Sequence, residues 1–252
     1  MGWKEMNNSI AILYTTFERA ELSKTTLQSI YPYLSSPNII LLVADQSKTP
    51  YSTTYGTTNS FVYNLPYDCG LSAARNFLVQ QANKLGCEFV ILTADSIEFK
   101  QGYNFQPYID FLNSNPNYGI VGFKLNNKPC WEFNMNLVDK AFELTPSKEF
   151  IAYENIKYQK VDICRNFFLA KTQVLLDCKW DENLKLCEHE PHSWDLKTTT
   201  NWKVFYTESL EANYIKQKEG EYKKLRLRAN FEYGSMAKMK YGLTQLVRLK
   251  RD

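Results

Sequence analysis

Apolar runs alternate with segments of helical periodicity along the first half of the chain. Residues 10–14, 39–44 and 89–93 read IAILY, IILLVA and FVILT, which is typical of buried strands. Apolar residues recur at helical spacing across 22–34, after the first run, and across 77–85, before the third. This pattern predicts an α/β domain whose largely parallel sheet is joined by right-handed helical crossovers.

The second half of the chain has a less regular pattern. Residues 118–123 predict a strand, whereas 124–160 is rich in Asn, Lys and Pro and predicts loops with at most one hairpin. Residues 161–169 predict a strand and turn that lead into a short helix at 171–176. The polar cluster that begins at Glu188 is expected to start another helix.

Length and composition favour one compact domain with a C-terminal appendage. The chain has 252 residues, of which 44% are apolar and 15% aromatic, enough for one large core. The segment 221–252 carries nine Lys or Arg from Lys223 onward against Glu232 and Asp252, apart from Glu221 at its start. We expect this basic tail to be helical. It would lie on an anionic membrane, follow the phosphates of a nucleic acid, or pack on the core as an amphipathic helix.

Location and redox state follow from what the sequence lacks. No run of about 18 apolar residues occurs, and the first residues lack the pattern of a secretory signal. We therefore expect a cytoplasmic protein, at most peripheral at a membrane. The six cysteines form no C-x-x-C pair, so we expect them to be reduced and mostly buried.

Polar groups follow the predicted strands where ligands bind in open α/β sheets. The first strand is followed by Thr16-Phe17-Glu18-Arg19, the second by Asp45-Gln46-Ser47, and the run 89–93 by Ala94-Asp95-Ser96. Because the carboxyl ends of parallel strands meet at one edge of a sheet, these groups are expected to share a binding edge.

The segment 64–76 reads NLPYDCGLSAARN and opens the second predicted helix. Ser72 is a candidate cap for that helix, and Gly86 is expected to end it. Gly70 would let the backbone approach a ligand, and Arg75 would reach a diphosphate or orient a neighbouring carboxylate.

Together these segments resemble the inverting GT-A glycosyltransferases of family 2 and, more distantly, their β-1,4-N-acetylgalactosaminyltransferase branch. Thr-Phe-Glu-Arg resembles the family's Thr-Tyr-Asn-Arg, Asp45-Gln-Ser its Asp-x-x-Ser, and 64–76 its Asn-x-Gly-x-Ser-x-Ala-Arg-Asn signature. The resemblance implies a Rossmann-like GT-A fold with a mixed, mostly parallel sheet flanked by helices. It implies a nucleotide-sugar half, 1–123, and an acceptor half, 124–220. The expected nucleotide-sugar-binding residues are Thr16, Phe17, Arg19, Asp45, Gly70, Arg75, Asn76 and Asp95.

The metal motif of the family is only partly present. The run that ends in Ala94-Asp95-Ser96 aligns with a strand-borne Asp-x-Asp whose carboxylates bind a divalent cation, Mn²⁺ or Mg²⁺, at the diphosphate. With only Asp95 retained, metal binding would be weakened, or the ligands would be Asp95 with Glu98 or a histidine. His192 or His189 could be the late metal ligand, and His192 is our candidate.

The segment near 188 resembles the family stretch in which an acidic pair begins an acceptor-side helix. An inverting transfer needs a general base for the acceptor hydroxyl, and Glu188 or Glu190, with His189 close by, are the candidates.

The sequence thus predicts an inverting hexosyltransferase that moves a sugar, with a UDP-sugar as the expected donor, to a glycan or lipid-linked hydroxyl. One alternative keeps this donor site and makes modified DNA the acceptor, with the basic tail on its phosphates. Another is a module that binds a nucleotide-sugar without catalysis, in line with the incomplete metal motif. A dinucleotide-binding enzyme is disfavoured because no G-x-G-x-x-G follows the first strand.

Overall fold

The structure, a computed structural model, describes residues 9–50, 59–216 and 221–250. Six α-helices lie in these ranges: α1 (Ala20–Ile30), α2 (Leu71–Lys84), α3 (Gln106–Asn113), α4 (Thr172–Asp177), α5 (His189–Thr199) and α6 (Glu221–Tyr241). The first six strands are β1 (Ile10–Thr16), β2 (Ile39–Asp45), β3 (Ser60–Asn64), β4 (Phe89–Ala94), β5 (Ile97–Glu98) and β6 (Tyr118–Asn126). The others are β7 (Phe133–Val138), β8 (Ala141–Pro146), β9 (Phe150–Tyr153), β10 (Ile156–Val161), β11 (Phe168–Lys171), β12 (Lys203–Tyr214) and β13 (Gln245–Leu249).

A large mixed sheet forms the centre of the molecule. Its strand order is β3-β2-β1-β4-β11-β6-β12-β10-β9, and β5 pairs with β12. Strands β3, β2, β1 and β4 are parallel, β11 is antiparallel to both β4 and β6, and β6 is parallel to β12. The predicted α/β class with a mixed, mostly parallel sheet is confirmed.

Both faces of the central strands are covered, which explains their continuous apolar runs. Alternate residues of β1 point to opposite faces, so that Ile12 packs in one core cluster and Leu13 in the other. Helices α1 and α3 cover the first face, and α2, α4 and α5 cover the second. The layers hold the carboxyl ends of β1, β2 and β4 at one edge.

The prediction for 124–160 was incomplete, because this segment forms two hairpins, β7–β8 and β9–β10, where at most one was expected. Strands β9 and β10 extend the large sheet, whereas β7 and β8 form a second sheet with β13. Strand β9 is an edge strand of only four residues, along which exposed and half-buried positions alternate, so its short apolar run does not distinguish it as a strand.

The C-terminal segment forms a helix, as predicted, and then a strand that was not predicted. After α6 the chain turns at Gly242, whose φ is +65°, and β13 pairs in parallel with β8. Leu243 is buried with Phe142 and Leu144 in a small third core. No helix within the described ranges combines the length and apolar character needed to cross a membrane.

The ends of α2 were only partly predicted. Gly86 ends the helix with φ of +76°, as expected. Ser72 does not cap it, because the N-cap residue is Gly70 and the Ser72 hydroxyl donates to the carbonyl of Leu184 at 2.6 Å. The serine instead ties α2 to the loop that precedes α5.

Candidate functional site

The ends of β1, β2 and β4 bring three predicted site residues together. Thr16 pairs with Asp45 in the β1–β2 register, and its neighbour Thr15 pairs with Ala94 of β4. The Thr16 hydroxyl donates to the Asp95 carboxylate at 3.4 Å. The shared polar edge expected from the sequence is therefore present.

A cavity of about 220 Å³ opens at this edge. Two features of its lining bear on ligand chemistry, namely aromatic rings and basic side chains. The lining residues are Thr15, Thr16, Phe17, Arg19, Gln46, Tyr67, Asp68, Gly70, Leu71, Lys185, Leu186, Arg226, Ala229 and Tyr233. The rings of Phe17 and Tyr67 lie 5.4 Å apart at the mouth, and Tyr67 is 55% exposed. Rings of this kind bind flat bases, and cations bind phosphates.

Hydrogen bonds fix the loop that follows β2. One carboxylate oxygen of Asp45 accepts the backbone N–H of Ser47 at 2.8 Å, and the Ser47 hydroxyl accepts the N–H of Glu18 at 2.9 Å. The side-chain oxygen of Gln46 accepts the N–H of Gly70 at 2.8 Å. The loops after β1 and β2 and the start of α2 thus form one hydrogen-bonded rim.

Asp95 lies beneath this rim and is fully buried. Its carboxylate pairs with the Arg19 guanidinium at 2.6 Å, and its backbone carbonyl accepts the Thr26 hydroxyl at 2.9 Å. Burial raises the pKa of Asp95 to about 6, although the charges of Arg19 and Arg226 oppose the rise. Arg19 lines the cavity, whereas Asp95 does not.

Gly70 lies against the protein's own backbone. Its φ is +95°, and a Cβ atom there would lie 2.8 Å from Lys185 Cα. The N–H of Leu71 donates to the Lys185 carbonyl at 3.1 Å. The Lys185 ammonium group forms an ion pair with the Asp68 carboxylate at 3.1 Å. The glycine therefore lets the 181–188 loop close one wall of the cavity.

Arg75 lies behind the cavity, where it forms a buried ion pair with Glu188 and stacks on the ring of Trp180 at 5.4 Å. Arg75 was expected either to reach a diphosphate or to orient a neighbouring carboxylate. The structure shows the second arrangement, with Glu188 as the carboxylate. Asn76 has a similar position, since its side chain exchanges two hydrogen bonds with the backbone of Trp180, at 2.9 and 3.1 Å.

The candidate bases lie at the start of α5 in distinct environments. Burial raises the pKa of Glu190 to about 7, and the charge of Glu188 adds to the rise. Burial alone would raise the pKa of Glu188, but the charge of Arg75, together with hydrogen bonds to the carboxylate and the His189 charge, lowers that pKa below its usual value. Burial lowers the pKa of His189 to about 3, and its Nε2 finds no hydrogen-bond partner among the described residues.

His192 is part of the packing around Trp180. Its ring stacks on that of Trp180 with centroids 4.3 Å apart, and its Nε2 donates to the Cys178 carbonyl at 3.0 Å. Burial lowers its pKa to about 4.

The described residues do not form an evident metal site. Within the described ranges, no group of three or more His, Cys, Asp or Glu side chains converges as cation ligands do. The Asp95 carboxylate forms an ion pair with Arg19, and the carboxylate of Glu98 accepts a hydrogen bond from Asn213 at 3.1 Å. A hard divalent cation needs several oxygen ligands, so the side chains present do not fit one.

Several lining residues were not identified from the sequence. Tyr67 and Asp68 lie inside the 64–76 motif and could have been included, whereas Lys185 carried no recognisable signal. Arg226 and Tyr233 come from the basic tail, whose charge was noted but whose position could not be known. Three of the six free cysteines are buried, Cys87, Cys164 and Cys178, whereas most were expected to be.

Comparison with known proteins supports the fold. No protein-family model matches the chain, and no curated protein matches its sequence. The structure is similar to that of a mannosyltransferase from Pyrobaculum calidifontis in complex with GDP-Man and Mn²⁺, with a TM-score of 0.58 and 12% identity. The match covers 94% of this chain, and the chain spans 65% of the length of that structure.

The chain therefore has the mixed α/β, Rossmann-like fold of GT-A glycosyltransferases. The similarity is to a mannosyltransferase and gives no support to the N-acetylgalactosaminyltransferase branch in particular. At 12% identity the comparison defines the fold alone.

Proposed function

We propose that the protein is an inverting glycosyltransferase that passes a sugar from a nucleotide diphosphate-sugar to an acceptor hydroxyl. The observation that carries the proposal is the cavity at the carboxyl edge of β1, β2 and β4, lined by aromatic rings and by three basic side chains. Open α/β sheets bind ligands at this edge, and the same cavity combines surfaces for a base and for phosphates.

The nucleotide base would stack against Phe17 and Tyr67 at the cavity mouth. Asp45 lies next to the lining residue Gln46, and its carboxylate would accept the N3–H of uracil. The proposed donor is therefore a UDP-sugar. Thr16, Gly70 and Arg19 would line the path from the base to the diphosphate.

Glu190 is our proposed general base. A carboxylate whose pKa is near 7 is ionised often enough at neutral pH and still accepts a proton with useful strength. As the acceptor oxygen bonds to the anomeric carbon, its proton passes to Glu190, and the opposite bond breaks with its electrons on the diphosphate. Glu188, paired with Arg75, would position the start of α5 and raise the pKa of its neighbour. His189 would stay neutral beside them.

The acceptor is proposed to be a glycan or a lipid-linked sugar. The basic tail suggested a nucleic acid as a partner, but three of its basic side chains form ion pairs within the protein. Lys240 pairs with Asp181, Arg248 with Asp139 and Lys250 with Glu143. These ion pairs reduce the charge left for phosphates of DNA.

The buried Asp95 favours a second candidate, a module that binds the nucleotide-sugar without transfer.

Thermal unfolding with a nucleotide panel tests the donor site, because a ligand that binds the folded form raises Tm. The panel contains UDP, GDP, UDP-glucose, UDP-N-acetylglucosamine, UDP-N-acetylgalactosamine and GDP-mannose, each with Mn²⁺ and with EDTA. We expect UDP to stabilise the wild type and Phe17→Ala to weaken that effect. The matched variant Phe150→Ala, at an exposed ring on β9, should respond as the wild type does.

Release of UDP from the stabilising sugar then separates an enzyme from a binding module. Release by the wild type and its loss in Glu190→Gln support transfer chemistry. Stabilisation without release favours the binding module, and no stabilisation by any nucleotide contradicts the whole proposal.

A further inference from the structure

We propose that Arg226, with Arg19 and Lys185, holds the donor diphosphate and offsets the charge of the leaving group in the place where GT-A relatives use a divalent cation. This inference rests on the proposed function, because it concerns the same donor. It adds a residue from the C-terminal helix to the reaction and predicts that the protein binds its nucleotide without metal.

The position expected to hold a cation is already filled by the protein. Asp95 is fully buried, its carboxylate pairs with Arg19 at 2.6 Å, and Thr16 donates to it at 3.4 Å. Its neighbours in the motif, Ala94 and Ser96, bring no carboxylate. A cation at Asp95 would have to displace the guanidinium of Arg19, and it would gain only one carboxylate in return.

Basic groups surround the space above Asp95 instead. Arg19, Lys185 and Arg226 line the cavity together with one acid, Asp68, and Asp95 lies beneath it. The lining therefore carries three basic side chains and one acidic side chain. Such a site favours a diphosphate and repels a divalent cation.

Arg226 brings a basic group from the C-terminal helix to the cavity. It lies on α6 and lines the cavity, and its charge opposes the rise in pKa that burial causes at Asp95, beneath the cavity, and at Cys187, the residue before Glu188.

Helix α6 is held over the cavity by contacts near its middle and at its C-terminal end. The Tyr241 hydroxyl donates to Asp195 of α5 at 2.7 Å, and Lys240 pairs with Asp181 at 2.9 Å. The Cys187 thiol donates a hydrogen bond to the backbone carbonyl of Asn230 at 3.5 Å. These contacts orient the helix so that Arg226 and Tyr233 face the cavity.

In the proposed reaction the guanidinium groups act only by electrostatics and hydrogen bonding. The bond between the anomeric carbon and the β-phosphate oxygen breaks, and the electron pair stays on that oxygen. Guanidinium donors directed at the oxygen stabilise its growing charge, as a metal does in other enzymes. No proton leaves an arginine, whose pKa is far above neutrality.

Isothermal titration of the full chain with UDP, and in parallel with GDP, tests the inference. Each titration is made in EDTA and in 5-fold excess Mn²⁺, for the wild type, Arg226→Ala, Arg226→Lys and the control Arg248→Ala, whose residue lies on β13 and pairs with Asp139. We expect wild-type Kd to be equal within about twofold with and without Mn²⁺. Arg226→Ala should weaken binding about tenfold or more, because hydrogen bonds to charged groups contribute on this scale.

The outcomes separate the two proposals. Binding that needs Mn²⁺, or an Arg226→Ala variant that binds like Arg248→Ala, would overturn the role of Arg226 and leave the proposed function standing. Absence of UDP and GDP binding in either condition would overturn both. An intermediate Kd for Arg226→Lys, with unchanged Tm for all variants, would show that the charge matters and that its planar geometry adds to it.

Discussion

The guanidinium of Arg75 and the carboxylate of Glu188 form a buried ion pair across 113 residues of sequence. The pair joins the first turns of α2 to the residue immediately before α5, and the arginine also stacks on Trp180. An arginine from the first half of the chain therefore holds the start of α5, where the proposed bases lie.

Replacement of Arg75 by alanine should destabilise the protein strongly. The change leaves the Glu188 carboxylate buried without a partner, which costs about 3–5 kcal/mol in comparable sites. Urea unfolding of Arg75→Ala measures this free energy. The control is Lys160→Ala, which removes an exposed pair with Glu149 and should cost less than about 1 kcal/mol. Equal losses in the two variants would contradict a structural role for the buried pair.

The large sheet could be predicted because its central strands are unbroken apolar runs covered on both faces. Strands β7 and β8 could not, since they are stabilised by pairing with each other and with β13, about a hundred residues away, as in the pair Phe142 and Val247. Local sequence carries no signal for such a distant partner.

The candidate site likewise contains some residues whose positions could be predicted from the sequence and others whose positions could not. The positions of Thr16, Asp45 and Asp95 followed from parallel strand ends, which topology brings together. Arg226 could not be assigned, because only the fold places α6 over the cavity. The role of Arg75 also depended on a partner that the motif itself does not contain.

Gly70 offers a direct test of the close contact at the cavity wall. An alanine there would have φ of +95° and would place its Cβ 2.8 Å from the Lys185 backbone. Gly86 is a matched control, because its φ is +76° but nothing lies within 4 Å of the position that a methyl group would take there. Both substitutions should lose about 1–2 kcal/mol from the left-handed backbone.

Only Gly70→Ala should lose a further amount, about 1–3 kcal/mol, from the overlap with Lys185. Urea unfolding gives the two free energies, and UDP titration shows whether the wall has moved. If Gly86→Ala were as destabilising as Gly70→Ala, the contact with Lys185 would not be the reason for the glycine.

The two histidines should remain neutral through the physiological range. Burial lowers the pKa of His189 to about 3 and that of His192 to about 4, below the unfolded value near 6.5. Their contribution to stability is therefore complete above pH 6.5 and is lost as pH falls toward 4 and 3. Nitrogen NMR of the imidazole rings between pH 5 and 8 should show no titration, and a midpoint near 6.5 for either ring would contradict the burial.

The pH dependence of transfer should distinguish the two acidic candidates for the base. Glu190 has a pKa raised to about 7, whereas the Arg75 charge keeps that of Glu188 below its usual value. A general base must be deprotonated, so kcat/KM should rise with pH and level off above about 7 if Glu190 accepts the proton. If Glu188 accepted it, kcat/KM would be level from about pH 5 upward.

The measurement is a pH profile of UDP release with the active donor, for the wild type, Glu190→Gln and Glu190→Asp. Loss of a base lowers the rate about 10²–10⁴-fold, so kcat/KM of Glu190→Gln should be lower by this factor at every pH. Its pH profile should also lose the rising part near pH 7, which we call the limb. Glu190→Asp keeps a carboxylate and should keep a limb with a lower rate, because the shorter side chain holds its oxygen farther from the acceptor. A limb near 7 that survives in Glu190→Gln would show that another group is the base, since removal of the titrating carboxylate must remove its titration.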